Sequence, residues 1–341
     1  FYPAAALENY FFFLAALYIL TFGLAFLETT SNPFILSMGD EATATQRLNL
    51  AQAFNPMGAL MGLLVAQTFI LGSLQSDDLD AQGNGIYETL SASAKATVKS
   101  ADLELIRNPY VALGFFVTLL LVAIAFVKMP NETDNDRATD MLDSIKRIYR
   151  KEHFVGGVIA QLFYVGAQIM CWTYIYQYAE NLGIENQNAV NYAYAALILF
   201  LLGRFMCAYL LKFFNPGKLL MYLGLLAVSC CLGTIFIQGM GGLYALVLTS
   251  FCMSLMFPTI YGIALNGLGE DAKPASAFLV MAIVGGAFMP ILQGMILDIG
   301  GQGYNDISIG GVSEVNFSFI LPLICFLVVS AYGYRSLKWN T

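Results

Sequence analysis

The sequence predicts an all-α polytopic membrane protein with nine transmembrane helices. Three observations carry this. Of 341 residues, 58% are hydrophobic and only 11% charged, against about 25% charged in an average soluble protein, and mean hydropathy is +0.67. The charges are segregated into short connections between long charge-free windows. The cations, finally, sit almost entirely on alternate connections.

A membrane-crossing helix needs roughly 20 mostly apolar residues. The windows Asn9–Leu27, Leu48–Ser76, Asn108–Val127, Phe154–Ala179, Asn186–Gly203, Pro274–Leu297 and Val315–Tyr334 each fit one. Residues Leu219–Gly269 carry no charge and hold two, hinged at Gly239-Met240-Gly241-Gly242. With residue 1 outside, the inner connections and inner span ends hold Arg47, Lys128, Arg137, Lys146, Arg147, Arg150, Lys151, Arg204, Lys212, Lys218, Lys273, Arg335 and Lys338. Only Lys95, Lys99 and Arg107 lie outside, a split of 13 to 3 among the 16 cations. Positive residues favour the cytoplasmic side, so the N-terminus is expected outside and the C-terminus in the cytoplasm. An outside start without a signal sequence, at Phe1 rather than Met, predicts a chain lacking an N-terminal portion.

Composition also excludes functions. A net charge of −7 without a basic patch disfavours nucleic-acid binding. One histidine, His153, makes multi-histidine metal chemistry unworkable. The six cysteines (Cys171, Cys207, Cys230, Cys231, Cys252, Cys325) fall in apolar stretches without zinc spacing and read as small core residues. No nucleophile–base set, Walker loop or dinucleotide fingerprint is present, so no enzyme, metal or cofactor is expected.

The connection Lys128–His153 divides three spans from six. Met141, Leu142, Ile145, Ile148 and Tyr149 recur at helical spacing beside Lys146, Arg147, Arg150 and Lys151, which predicts an amphipathic interfacial helix; a solvated linker is the other reading. Many transporters join two six-helix halves by such a linker, and 3 + 6 spans is what a 6 + 6 protein leaves after losing three. The organisation predicted is 1–128, the last three spans of an N-terminal bundle; 129–153, the linker; and 154–341, a complete C-terminal bundle. Gly39-Asp40-Glu41-Ala42 and Gly269-Glu270-Asp271-Ala272 echo one another at equivalent inner connections. The outer segment Asp77–Arg107 reads as a surface loop with a short helix around Ile86–Val98.

Ionisable groups inside spans are costly and are functional candidates by default. Glu28 follows an uncharged window and lies 12 residues before Asp40, about 18 Å along a continuous helix. It is a candidate for proton exchange, the competing role being a helix-end carboxylate reaching water. Gln52 and Asn55 open the next span at i, i+3 spacing and reach comparable depth; such amides suit sugar hydroxyls or a carboxylate, or simply bond helices together. Their echoes, Ala282 and Gly285, carry no such groups. Gln161, Tyr164, Gln168 and Trp172 form a 3-4-4 stripe of amides and aromatics suited to a sugar, or to packing and an interfacial belt. Tyr174, Tyr176, Gln177 and Tyr178 follow near that span's outer end, with Asn191, Tyr192 and Tyr194 near the next. Arg204 is an embedded cation expected to snorkel inward or anchor the inner connection. Pro258, Gly285 and Gly286 permit bending or close helix approach.

The run Leu27-Glu28-Thr29-Thr30-Ser31-Asn32-Pro33-Phe34, then Arg47-Leu48-Asn49-Leu50-Ala51-Gln52-Ala53-Phe54-Asn55, resembles the fucose permease branch of the major facilitator superfamily. Tyr164-Val165-Gly166-Ala167-Gln168 with Cys171-Trp172, Gly203-Arg204-Phe205, Pro258-Thr259-Ile260 and Asn266-Gly267-Leu268-Gly269-Glu270-Asp271 are similar to it too. The resemblance implies a twelve-helix fold and proton-coupled symport of L-fucose or a related hexose by alternating access, in the inner membrane. It implies that Glu28 matches the family's essential glutamate, and that Gln52 and Asn55 match amides lining or supporting the cavity. The family's other key acid, an aspartate in the first span of the full protein, lies outside this sequence. Glucose/galactose or amino-sugar transport with proton or sodium coupling is the alternative, and a non-transporting membrane sensor or scaffold is one of another class. The expected partners are a monosaccharide and the bilayer, with the chain working as a monomer.

Overall fold

The computed structural model describes residues 1–70, 73–77, 85–127, 141–301 and 307–339. Nine helical segments among them are long and apolar enough to cross a membrane: Tyr10–Ser37, Glu41–Ile70, Ala92–Ala125, Glu152–Asn181, Asn188–Leu210, Pro216–Phe236, Met240–Leu265, Gly269–Leu297 and Glu314–Trp339. The nine spans read from the sequence each match one of these, and the only strands described are two-residue ones, Ser308–Ile309 and Val312–Ser313. Residues 128–140, which include about half of the expected linker, lie outside the described residues.

The chain forms two compact units, Phe1–Phe26 with Met61–Ala138, and Leu27–Leu60 with Thr139–Thr341. In the first, α1 (Tyr2–Ala6) lies on a long helix, Ala92–Ala125. Phe1 stacks on Tyr110 with centroids 4.0 Å apart, and Lys99 pairs with Glu8 at 3.1 Å. The expected short helix at Ile86–Val98 is instead two: a single turn, Ile86–Thr89, and the start of the long helix, which Ser91 caps by accepting from the Ala94 N–H. Asp102 on that helix accepts the backbone N–H groups of Gln75 and Ser76, both at 3.0 Å.

The second unit begins with the last turns of α2 (Tyr10–Ser37), followed by α3 (Ala44–Gln52) and the part of α4 (Phe54–Val65) up to Leu60. A helix leaves its last four carbonyls unpaired. Arg47 reaches back to them, donating to Leu36 O at 3.0 Å, and also to Asp40 O at 2.7 Å and Thr43 Oγ1 at 2.6 Å. Pro33 inside α2 has no N–H to offer the carbonyl of Thr29; Ser276 Oγ donates to that carbonyl at 3.0 Å. Neighbouring hydroxyls commonly satisfy a carbonyl freed by proline in a membrane helix.

The rest of the unit is a helical bundle. Numbering on from α4, with the helices of the first unit as α5 (Ile86–Thr89) and α6 (Ala92–Ala125), it contains α7 (Met141–Tyr149), α8 (Glu152–Thr173), α9 (Ile175–Asn181), α10 (Asn186–Leu210), α11 (Pro216–Phe236), α12 (Met240–Met253), α13 (Met256–Leu265), α14 (Ala272–Met281), α15 (Gly285–Leu297), α16 (Glu314–Ser318) and α17 (Ile320–Trp339). α8 lies at its centre, packed on α13, α15 and α17. The expected hinge between two spans is real: Gly239 takes φ +77°, a region open chiefly to glycine, and α12 starts at the next residue. Among the described residues, Gly285 makes the closest approach of any glycine to neighbouring backbone, since a Cβ there would collide with the carbonyl of Leu162. All six cysteines are buried and free.

The amphipathic helix forms as α7, but it is tied to the bundle. Ile148 is buried beside Phe154, Leu268 and Leu279, while Leu142 and Tyr149 stay exposed. Arg147 grips Asp271 through two bonds of 2.9 and 2.6 Å and also donates to Ser144 Oγ. Asp271 raises the guanidinium's proton affinity further above its ordinary value. Arg147→Glu is therefore expected to speed amide exchange across 141–149, and Arg147→Glu with Asp271→Arg to restore protection, as hydrogen–deuterium exchange would read. Unrestored protection in the double variant would show that the ion pair does not hold α7.

Candidate functional site

The sequence candidates fall into two polar clusters, both in the second unit. The first surrounds Glu28. This residue is half-buried in an apolar stretch of α2, and its Oε2 is buried with no hydrogen-bond partner among the described residues. One turn on, at i+4, Asn32 is buried, and its Oδ1 accepts from Gln52 Nε2 of α3 at 2.9 Å. Gln52 thus makes an interhelical bond and orients an amide beside the acid. Asn55 does not join it. The helix turns at Ala53, whose N–H bonds Leu50 O, and Asn55 beyond the turn is exposed. The i, i+3 face read from a continuous helix is broken there.

Two buried groups from the far end of the chain close this cluster. Tyr261 of α13 is fully buried with its hydroxyl unpaired, and Ser276 Oγ donates to the carbonyl of Thr29, next to Glu28 in the chain. Below them Asn49 Nδ2 donates to Thr259 Oγ1 at 3.2 Å, joining α3 to α13. Asn32, Asn49, Tyr261 and Ser276 are absent from the sequence-derived set. The helical spacing of Asn32 from Glu28 was the available signal; for the others, contact across more than 200 residues of chain left none.

The second cluster lies inside the bundle. Gln161 is fully buried with both amide atoms unpaired. Tyr164, also fully buried, donates to Met253 O at 3.2 Å, beside the break between α12 and α13. Arg204 corrects the snorkelling expectation. Its guanidinium is buried over the Phe200 ring, 4.9 Å from the centroid, with Nε and Nη1 unpaired. The apolar shaft of α10 carries it among aromatic faces, which can hold a cation where no water reaches.

Trp172 lies further along α8, with Nε1 donating to Ser250 Oγ at 3.2 Å and its ring edge-on to Phe200. Gln168 is half-buried between Tyr164 and Trp172. Trp172, Tyr176 and Gln177 line an open cleft with Ile169, Thr173 and Glu180. Pro258 is the third residue of α13, just past the break at Ser254–Leu255, and Gly286 abuts Val165 and Ile169 of α8. Among the described residues no group of three His, Cys, Asp or Glu side chains could hold a metal ion.

Apolar helices that keep one acid, one cation and several amides from lipid suit the passage of a polar solute. Comparison with known proteins decides the lineage. The family description "Major Facilitator Superfamily" matches residues 1–290. The chain belongs to the Major Facilitator Superfamily. Within that superfamily it is 50% identical over 339 residues to the L-fucose-proton symporter of Haemophilus influenzae, covering 99% of this chain and 78% of that protein. It is 34% identical to the L-fucose-proton symporter of Escherichia coli, covering 98% and 74%. It is 29% identical to a glucose/galactose transporter of Brucella abortus, covering 98% and 73%. Among solved structures, a Major Facilitator Superfamily transporter, FucP, in the outward conformation matches with a TM-score of 0.86 at 32% identity, covering 98% of this chain and 78% of that one. These relatives are transporters, not enzymes. The fold read from the sequence, a facilitator-superfamily helical bundle, is borne out.

Proposed function

We propose that this chain is a proton-coupled L-fucose symporter of the inner membrane, working by alternating access as a monomer with its C-terminus in the cytoplasm. The observation that carries the proposal is the state of Glu28. It is a carboxyl within an apolar helix, one oxygen buried and unpaired, with Asn32 and Gln52 beside it and no cation paired to it among the described residues. An acid in that setting is free to take up and release a proton. The likeness to two L-fucose-proton symporters over nearly the whole chain supports the cargo.

Residues 1–128 and 154–341 act as bundles joined by the linker 129–153. Gln52 and Asn55 from the first, with Gln161, Tyr164, Gln168 and Trp172 from the second, meet the sugar. Arg204, Pro258, Gly285 and Gly286 serve packing and movement. The bonds Asn49–Thr259 and Ser276–Thr29 tie helices of the first three spans to helices of the last six, which supports a conformation in which these spans are engaged.

The test is uptake of radiolabelled L-fucose into proteoliposomes under an imposed pH gradient. Accumulation above the external concentration, collapsed by a protonophore and unaffected by sodium, is expected. Likeness to a glucose/galactose transporter favours a second reading, which preferential competition by glucose or galactose would support. Failure to accumulate any hexose would overturn both.

A further inference from the structure

We propose that a cationic pocket at the junction of α7 and α8 binds a phosphate group, supplied by the headgroup of an anionic membrane lipid. The inference goes beyond transport and does not depend on which sugar is carried.

Two short connections build the pocket. Arg147, Ile148, Arg150 and Lys151 line one side, and the turn 267–271 between α13 and α14, with Leu268 and Asp271, lines the other. Its volume is about 370 Å³, within the range of small-molecule sites. Ile148 and Leu268 are buried in one apolar cluster, which fixes both sides. Arg147 is fixed too, by its two bonds to Asp271.

The charges do not cancel. Arg147 and Asp271 offset one another. Arg150 and Lys151 are exposed, and neither pairs with an acid among the described residues. Glu152 and Glu270 are close in sequence but do not line the pocket. Lys151 is also the N-cap residue of α8, and no side chain caps that end, so the helix dipole adds partial positive charge on the same side. A guanidinium with a planar fork of donors beside a compact ammonium is a donor set suited to phosphate.

The surroundings point to a lipid as the source. Lys151 immediately precedes the spanning segment Glu152–Asn181, and the turn 267–271 joins Met240–Leu265 to Gly269–Leu297. Both sides of the pocket therefore lie where spans end, at the level of the headgroups. Leu142 and Tyr149, about two helical turns apart on α7, are exposed, and the Tyr149 ring meets Phe278 of α14 edge-on, with centroids 5.8 Å apart. A soluble phosphate would use the cations alone, whereas a lipid uses the cations and this apolar rim together. Cationic pockets beside spanning helices take anionic headgroups in this way.

The test is native mass spectrometry of the full chain in detergent, titrated with phosphatidylglycerol or with phosphatidylcholine. Phosphatidylglycerol should bind more tightly, and an excess of inorganic phosphate should not displace it. Arg150→Gln and Lys151→Gln should each weaken its binding about fivefold; both residues are exposed, so the fold is not at stake. Lys146→Gln removes an exposed cation of α7 that pairs with Asp143 and lies outside the pocket, and it should leave binding unchanged. Equal affinity for the two lipids, unaltered phosphatidylglycerol binding in both pocket variants, or an equal loss in Lys146→Gln would overturn the site. Displacement by inorganic phosphate would overturn the lipid as its source and assign the pocket to a soluble anion.

Discussion

Glu28→Gln is expected to abolish concentrative uptake while sparing exchange of sugar across the membrane. At 100 mV one symported charge is worth about 2.3 kcal/mol, enough for roughly a fifty-fold gradient. Glutamine copies the shape and hydrogen-bonding capacity of the protonated acid but cannot lose a proton. A carrier frozen in that form should still exchange labelled for unlabelled L-fucose, now with little dependence on pH. The accumulation ratio should fall from tens to about one. Accumulation and counterflow in the same vesicles separate these outcomes, and a Glu28→Gln variant that still concentrates sugar under a proton gradient would remove Glu28 from coupling. The bonded amides of Asn32, one turn from Glu28, and Gln52 suit either charge state of the acid without adding a charge of their own.

Gly285→Val should have the largest effect on folding. The added Cβ would overlap the Leu162 backbone carbonyl, which cannot swing aside as a side chain would. Gly166, across the same seam, already meets Met289, so α15 has no free direction in which to retreat along this face. Overpacking of this kind costs about 1–3 kcal/mol and occasionally more, and here it would prise α15 from α8. A clear fall in the melting temperature of detergent-solubilised protein is expected, with loss of sugar exchange. Gly58→Ala is the control, because no neighbouring atom lies within 4 Å of a Cβ there. Equal stability of the two variants would mean that the seam between α8 and α15 is looser than the backbone contact indicates.

Much of this was legible in the amino-acid order because a bilayer imposes a simple demand: backbone polar groups must be satisfied within each span. Charge-free windows therefore mark helices, and a lone acid such as Glu28 stands out by its cost. What the windows miss is helix outside the apolar slab. α6 begins at Ala92, well before Asn108, because a Ser91 cap and a run of helix-compatible polar residues extend it. Composition makes that stretch look like loop. Depth is also poorly encoded: Arg204 follows charge-free residues near a span end, which suits snorkelling, yet its place beside Phe200 turns it inward. Tyr261 is one of 19 tyrosines, and nothing in its local run marks it as the one buried against Leu48 and Leu279 with its hydroxyl unpaired.

The burial of every thiol carries a practical corollary. Cys171, Cys207, Cys230, Cys231, Cys252 and Cys325 are enclosed in the bundle, so the native chain offers a quiet chemical background. A cysteine introduced at an exposed residue such as Lys146 would be the reactive one, and spin labels or fluorophores could be attached without first deleting the natural six. The same small, polarisable side chains that fill the interior thereby leave the surface free for spectroscopy.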